Sequence, residues 1–237
     1  KYKFKIVEDA SHALGAKYKN NNVGSCKYSD IAVFSFHPVK IITTAEGGAA
    51  TTNSKILNHR LKLLRNHGIT REKKYLNRKK FPSWYYEFKE LGYNYRLNEI
   101  QAALGLSQLK KLNRWVSYRN KLADIYRREL KNLPINYPAK MKGFYSSYHL
   151  FVITIFKNSK TISRNKIFNI LKKKGIQANV HYIPIHTHPF FKKIGFKNLN
   201  FPKANKYYNS CLTLPLYAGL TKKKQKKIIK ILKKILS

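Results

Sequence analysis

Carboxylates are scarce in this chain. Asp and Glu total 10 of 237 residues against 49 Lys and Arg, a formal charge of +39. Such an excess favours anionic small substrates, and it raises nucleic-acid binding as a reading. Only 10 of the basic residues are Arg, and the lysines run from Lys1 to Lys234 without forming one stripe. A compositional bias towards Lys, Asn, Ile and Tyr accounts for that spread better, so no nucleic-acid partner is expected. Cysteine is nearly absent: Cys26 and Cys211 stand far apart and outside any CxxC pattern. They cannot build a disulfide framework and fit a reducing, cytoplasmic compartment. No run of about 18 apolar residues is present, which excludes a membrane-spanning helix of ordinary length. No secretory signal opens the sequence, no internal repeat divides it, and no long low-complexity segment interrupts it. The chain begins with Lys1 inside a strand-like pattern, and an N-terminal truncation is expected on that ground.

What is present is an alternation of short apolar runs and helical periodicity. Phe4 to Val7 and Ile31 to Phe36 read as short buried strands, with the turn-rich Lys19-Asn-Asn-Asn-Val-Gly24 between them. Ala49 to Thr52 reads as a further strand after the Gly47-Gly48 turn. Ser54 then caps a helix through Ile56, Leu57, Leu61 and Leu64 towards Gly68. Residues 69 to 92 are polar, aromatic and irregular, and read as an exposed excursion. A long helix follows, opened by Asn98 and Gln101 in capping-box spacing, with Ile100, Leu104, Leu109 and Leu112 as its apolar face. Pro134 and Pro138 break the pattern, and a domain boundary is placed there, giving 1–133 and 134–237. The second half reads as a smaller α/β unit: a strand over Tyr148 to Phe156, a helix over Ser163 to Lys174, and an extended segment over Gln177 to Ile183. A final amphipathic helix from Thr221 carries Ile228, Ile231, Leu232 and Ile235 on its apolar face. Its lysine face suits an anionic membrane, but completion of a domain core is the expected use, with no membrane partner.

Two residues carry the chemistry. Asp9 ends one apolar run, and Lys40 follows the run Ile31 to Phe36. A lysine at the mouth of a buried strand can form a Schiff base if its surroundings lower its pKa, and Val39, Ile41 and Ile42 supply an apolar setting. An acid at the end of a neighbouring strand can hold the ring nitrogen of pyridoxal 5′-phosphate (PLP) protonated. His181, His186 and His188 form the one histidine cluster. No Cys or acid lies near it in sequence, so no metal site is expected.

Seven segments, in order, support this reading. They are Val7-Glu-Asp-Ala-Ser-His-Ala-Leu-Gly-Ala16, Phe34-Ser-Phe-His-Pro-Val-Lys40, Glu46-Gly-Gly-Ala49, Arg65-Asn-His-Gly68, Gly92-Tyr-Asn-Tyr-Arg through Gly105, Val180-His-Tyr-Ile-Pro-Ile-His186, and Leu214-Pro-Leu-Tyr-Ala-Gly-Leu220. Together they resemble the DegT/StrS-type sugar aminotransferases along essentially the whole chain. The His-Pro-Val-Lys and His-Tyr-Ile-Pro-Ile-His variants look most like the subgroup that aminates C4 of UDP-linked 4-keto-6-deoxy-N-acetylhexosamines on the route to pseudaminic acid.

The resemblance implies an α/β chain: a portion of the large domain of a fold-type I PLP-dependent aminotransferase, followed by its small C-terminal domain. Lys40 becomes the residue that bonds PLP and shuttles the proton. Asp9 binds the ring nitrogen, His12 sits near the ring oxygen, and Ser35 binds the phosphate. Asn94 reaches the phosphate of a neighbouring subunit, so the working unit is a homodimer with shared active sites. His181, Tyr182 and His186 line the substrate side, with packing and loop hydrogen bonds as the alternative. Arg96 either pairs with a carboxylate or diphosphate or braces the start of its helix. Glutamate is the expected amino donor and a nucleotide-linked keto-sugar the acceptor, in the biosynthesis of surface glycans. Ile41 and Ala45 replace the Asn and Gly common after the family's lysine. The segment that carries the family's phosphate loop and ring-stacking aromatic would precede Lys1. The alternatives are a non-catalytic fragment or pseudoenzyme of the family, a sugar 3-dehydratase, which has histidine in place of Lys40, and a basic nucleic-acid-binding protein.

Overall fold

The computed structural model describes residues 2–156, 162–196 and 199–236. The chain forms two compact units: Lys1–Asn113 with Gly143–Ser147, and Arg114–Lys142 with Tyr148–Ser237. The expected boundary at Pro134 lies later than this division. The reason is packing: Leu122, Ala123, Tyr126 and Leu130, which precede Pro134, are buried in the core of the second unit.

In the first unit the strands are β1 (Val7–Asp9), β2 (Lys17–Tyr18), β3 (Asn21–Asn22), β4 (Ile31–Ser35) and β5 (Gly48–Thr51). Helix α1 (Lys55–Leu64), strands β6 (Ile69–Thr70) and β7 (Glu87–Phe88), and helix α2 (Glu99–Leu109) follow, and β9 (Phe144–Tyr145) returns to this unit. Strand β4 is central in the sheet β1-β4-β5, parallel to β1 and antiparallel to β5. Its Ala32 and Phe34 are buried while Val33 is exposed, the alternation that a pleated strand imposes. The register pairs Asp9 with Val33 and Ser35 with Gly48. Strands β3, β2 and β9 form a second small sheet.

Several expectations change here. Phe4, Ile6 and Val7 are exposed, not buried, because β1 is an edge of its sheet and starts only at Val7. Ser54 caps α1 as expected, accepting from the Leu57 N–H, but Ile56 is exposed and Leu63 is the buried residue. The excursion at 69–92 is a hairpin, with Ile69 opposite Phe88 and Thr70 opposite Glu87. The capping box at Asn98 and Gln101 is present in both directions. The long helix is instead two, α2 and then α3 (Leu112–Glu129), and Ile100, Leu104 and Leu109 are exposed.

In the second unit, α3 shares a core with β8 (Ile135–Asn136), β10 (Phe151–Ile155), α4 (Arg164–Lys173), β11 (Cys211–Leu214) and α7 (Lys222–Leu236), and α5 (Pro189–Phe191) and α6 (Pro202–Ser210) belong to the same unit. The sheet order is β11-β10-β8, all antiparallel. Phe151, Ile153 and Ile155 of β10 face the core, joined by Leu122 and Tyr126 of α3 and by Ile228 and Leu232 of α7. Burying one such side chain contributes roughly 1.5–3 kcal/mol, so α7 is held by its apolar stripe while its lysines stay in water. The buried Arg119 guanidinium donates through Nη1 to the carbonyls of Tyr148, His149 and Leu216, at 3.1, 3.4 and 2.7 Å. Burial pulls its pKa down to about 10.

Candidate active site

The first unit gathers three of the expected residues at the ends of neighbouring strands. Asp9 closes β1, and Lys40 lies in the turn after β4; the parallel pairing of β1 with β4 delivers both to the same sheet end. Carboxyl ends of parallel strands are where open α/β sheets hold ligands. The backbone N–H and the hydroxyl of Ser11 donate to Asp9 Oδ1 at 3.0 and 2.6 Å. These bonds, then the charges of His12 and Lys40, hold the Asp9 carboxyl below the usual carboxylate range, so it is ionised at neutral pH. Asp9 Oδ2 accepts no hydrogen bond among the described residues, which leaves an oxygen of that anion open to a ring N–H. Burial first, and then the Lys40 charge, hold His12 below its ordinary value. A neutral imidazole, an anion and an amine thus lie within electrostatic reach of one another. That donor set fits PLP: the open carboxylate oxygen suits the protonated ring nitrogen, and the amine suits the aldehyde.

The turn that carries Lys40 is held by hydroxyls and amides. The Lys40 N–H donates to His37 O at 3.0 Å, and the Phe36 N–H donates to Gly47 O at 2.8 Å. Thr43 Oγ1 donates to Phe36 O at 2.9 Å and accepts from the Ala45 N–H at 2.9 Å. The buried Thr44 donates through Oγ1 to Glu46 O at 2.6 Å. Gln108 of α2 reaches the turn from outside, its Oε1 accepting from the Thr43 N–H at 3.0 Å. Gly47 sits at φ +140°, and a Cβ there would lie 2.6 Å from Thr44 Oγ1 and 2.8 Å from Leu97 Cδ1. Ile41 and Ile42 are buried beside Lys40, whereas Val39 is 64% exposed. The apolar setting therefore comes from the two residues after the lysine, because the Pro38-Val39 segment turns outward.

Ser35 is half-buried at the end of β4, and its hydroxyl accepts from the His37 N–H at 3.4 Å. Asn94 is exposed and bridges Asn66 in antiparallel fashion. Arg96, also exposed, lines a cavity of about 570 Å³ with His59, Arg65, Asn66, Arg71 and Glu72. His181, Tyr182 and His186 belong to the second unit. There His181 Nδ1 is 2.7 Å from Thr213 Oγ1, and His186 Nε2 is 3.1 Å from Asn205 Oδ1. Tyr182 is 65% exposed and packs edge-on against the His181 ring. Among the described residues no group of three or more His, Cys, Asp or Glu is arranged to hold a metal.

The sequence reading missed Ser11, Thr43, Thr44 and Gln108, which position the reactive groups, and Ser147, whose buried hydroxyl donates to His12 O at 3.0 Å. Ser11 had a signal: an Asp followed two residues later by Ser is Asx-turn spacing. The others are neutral polar residues with no pattern that marks them.

Comparison with known proteins places these residues in a wider setting. Residues 1–233 match the DegT/DnrJ/EryC1/StrS aminotransferase family. The chain is 37% identical over 227 residues to the UDP-4-amino-4,6-dideoxy-N-acetyl-beta-L-altrosamine transaminase of Campylobacter jejuni serotype O:2, covering 95% of this chain and 57% of that protein. Its fold is similar to that of Helicobacter pylori PseC, an aminotransferase of pseudoaminic acid biosynthesis, with a TM-score of 0.86 and 36% identity over 98% of this chain and 60% of that one. The PLP form of Spr1654 from Streptococcus pneumoniae aligns with a TM-score of 0.84 and 32% identity, covering 98% and 59%. The chain thus spans about six-tenths of the length of the relatives it matches.

Proposed function

This chain belongs to the DegT/DnrJ/EryC1/StrS aminotransferase family, and we propose that it serves a PLP-dependent transamination of a nucleotide-linked keto-sugar. The reading is amination at C4 of a UDP-4-keto-6-deoxy-N-acetylhexosamine, with glutamate as donor, in the cytoplasm, for surface-glycan biosynthesis. The observation that carries it is the grouping of Asp9, His12 and Lys40 at one sheet end, with one Asp9 oxygen unengaged.

PLP, when bound, supplies an electron sink that acidifies the carbon carrying the amine. Asp9 Oδ2 would accept from the cofactor's ring N–H, and the ionised carboxylate would keep the proton on that nitrogen. Lys40 Nζ would hold the cofactor's aldehyde group and, when free, would carry a proton to and from the substrate carbon. Ser35 Oγ would donate to the cofactor phosphate. A single hydroxyl cannot neutralise that dianion, so further donors complete the cradle. Asn94 would contribute to the phosphate site of a partner protomer and His12 would serve the ring oxygen, while the substrate roles of Arg96, His181, Tyr182 and His186 rest on the family resemblance. The homodimer reading is supported by the apolar surface that α2 leaves open: Ile100 is 83% exposed, and the stacked Tyr93 and Tyr95 lie just before the helix. Exposed apolar patches of this kind mark association surfaces.

The test is to express the full-length protein with PLP, record its absorbance near about 420 nm, where lysine-bound PLP absorbs, reduce with borohydride, and map the labelled peptide. Lys40 is the expected site; a label on another lysine, or none, overturns the proposal.

A further inference from the structure

Helix α7 carries charge that the chemistry above leaves unused. It holds eight lysines and no acid, and Lys222, Lys223 and Lys224 fill its first turn. That turn is the positive end of the helix dipole, where a cation is disfavoured and an anion is stabilised. A compositional bias scatters lysines over a surface, but four of these fall on one line. Lys222, Lys226, Lys230 and Lys233 are exposed, follow one another at helical spacing, and rim a cavity of about 610 Å³ between α7 and α3. The floor of this groove is apolar, formed by Ile125 of α3 and the buried Ile229 of α7.

Two acceptors also line the groove. Glu129 accepts from Lys233 at 3.0 Å and from Arg128 at 3.2 Å, and these bonds hold its carboxyl below the usual range, so it stays ionised. Gln225 is wholly buried. Its Nε2 donates to Leu122 O at 2.7 Å, while its Oε1 has no hydrogen-bond partner among the described residues. A buried acceptor left open marks a surface still short of a donor. Lys222, Lys226 and Lys230 have no carboxylate partner among the described residues.

These features narrow the occupant. A membrane takes up a basic helix by burying its apolar face, and Ile228, Leu232 and Leu236 of α7 are already buried in the core of this unit. A nucleic acid brings phosphates, which the ionised Glu129 repels, and a single strand stacks on rings, of which the residues lining this cavity include none. A helix with carboxylates one turn apart matches instead. Four residues of any α-helix rise about 6 Å, so its anions fall in step with the lysines of α7. Its apolar side chains suit the floor, and its polar ones supply donors.

We propose that the groove between α3 and α7 docks an acidic amphipathic helix of a partner protein, its carboxylates meeting Lys222, Lys226 and Lys230 and its apolar edge meeting Ile125 and Ile229. A carboxylate seated at the first turn of α7 also offsets the conflict between its lysines and the helix dipole.

The probe is a fluorescein-labelled synthetic helix with Glu at every fourth position and Leu beside each Glu on an alanine background. It is added to the full-length, PLP-loaded protein near physiological salt and followed by anisotropy. Lys226→Gln/Lys230→Gln is expected to weaken binding about tenfold as two exposed charge pairs are lost. Lys224→Gln/Lys227→Gln removes the same charge from exposed positions of α7 outside the cavity, and affinity is expected to stay within about twofold. Glutamine has nearly the helix propensity of lysine, so both variants keep the fold. A probe with a central proline keeps its charge but not its helix, and is expected to bind about tenfold more weakly. Equal weakening in the two double variants, equal binding of the proline probe, or no binding at about 1 mM each overturns the proposal. So does tighter binding of duplex DNA or of phosphatidylserine vesicles that depends on Lys226 and Lys230.

Discussion

Replacing Gln108 by Leu tests whether the turn carrying Lys40 is positioned from outside. Apart from the His37 N–H bond to the adjoining Ser35, the bonds described for the turn from Phe36 to Gly47 join its own residues; the Thr43 N–H to Gln108 Oε1 contact, 3.0 Å across 65 positions of sequence, ties it to α2. Leucine keeps the volume and removes the acceptor. Thr43 is half-buried, so the lost bond should cost about 1 kcal/mol and at most about 3. In a chain this long that is a fall in Tm of about 2–4 °C per kcal/mol. Turnover should suffer more, because a misplacement of about 1 Å in a reacting group can cost about a hundredfold. The assay is stopped-flow measurement of the glutamate half-reaction in the full-length enzyme, with Gln108→Glu as the variant that retains an acceptor oxygen. The expected pattern is a drop in kcat of tenfold or more for Gln108→Leu, little change in KM, and substantial recovery in Gln108→Glu. A Gln108→Leu rate within about twofold of wild type, or a Gln108→Glu enzyme equally impaired, would refute the positioning role.

The placement of Asp9 and Lys40 at one sheet end was legible in the sequence because Asp9 ends a strand-like run and Lys40 follows another. Gln108 and Thr43 were not, since neutral amides and hydroxyls carry no periodicity and their contact depends on how α2 returns to the sheet. Element type was recovered well where a cap or an apolar run dictated it, as at Ser54, Asn98, Ser163 and β4. Burial was recovered less well. Ile100, Leu104, Leu109 and Leu112 were read as the apolar face of one long helix, but Leu112 opens α3, and Ile100 and Leu104 are exposed because periodicity does not say what covers a residue. Strand β1 failed for a related reason: an edge strand and a central strand share the same composition, and only pairing tells them apart. The unit boundary was sought at prolines, whereas the apolar residues of α3 had already joined the second core before Pro134.

Three further substitutions separate local causes. Ser11→Ala removes one of the two Ser11 bonds to Asp9 Oδ1, so the carboxyl should move up towards 3.8, which NMR titration reads directly. Because the folded value is depressed, the contribution of Asp9 to stability is complete above the unfolded value and is lost as pH falls through the folded one. The stability gap between wild type and Ser11→Ala that arises from this linkage should therefore shrink on acidification below the unfolded value. The last two compare the root of the hairpin with a glycine elsewhere. Gly68 and Gly175 both sit at φ +72°, yet a Cβ on Gly68 would lie 1.7 Å from Glu90 O, while a Cβ on Gly175 meets nothing within 4 Å. Left-handed strain alone should cost Gly175→Ala about 1 kcal/mol. Gly68→Ala carries the same strain and must also push apart adjoining backbone segments, where Lys89 N–H donates to Gly68 O at 2.8 Å and His67 N–H donates to Tyr93 O at 2.8 Å. Its cost should exceed about 4 kcal/mol, a level reached only when packing itself is broken. Denaturant unfolding of the two variants in the full-length protein compares them on one scale. If both lose the same stability to within about 0.5 kcal/mol, the clash at Gly68 relaxes without consequence and close backbone approach is not what glycine supplies there.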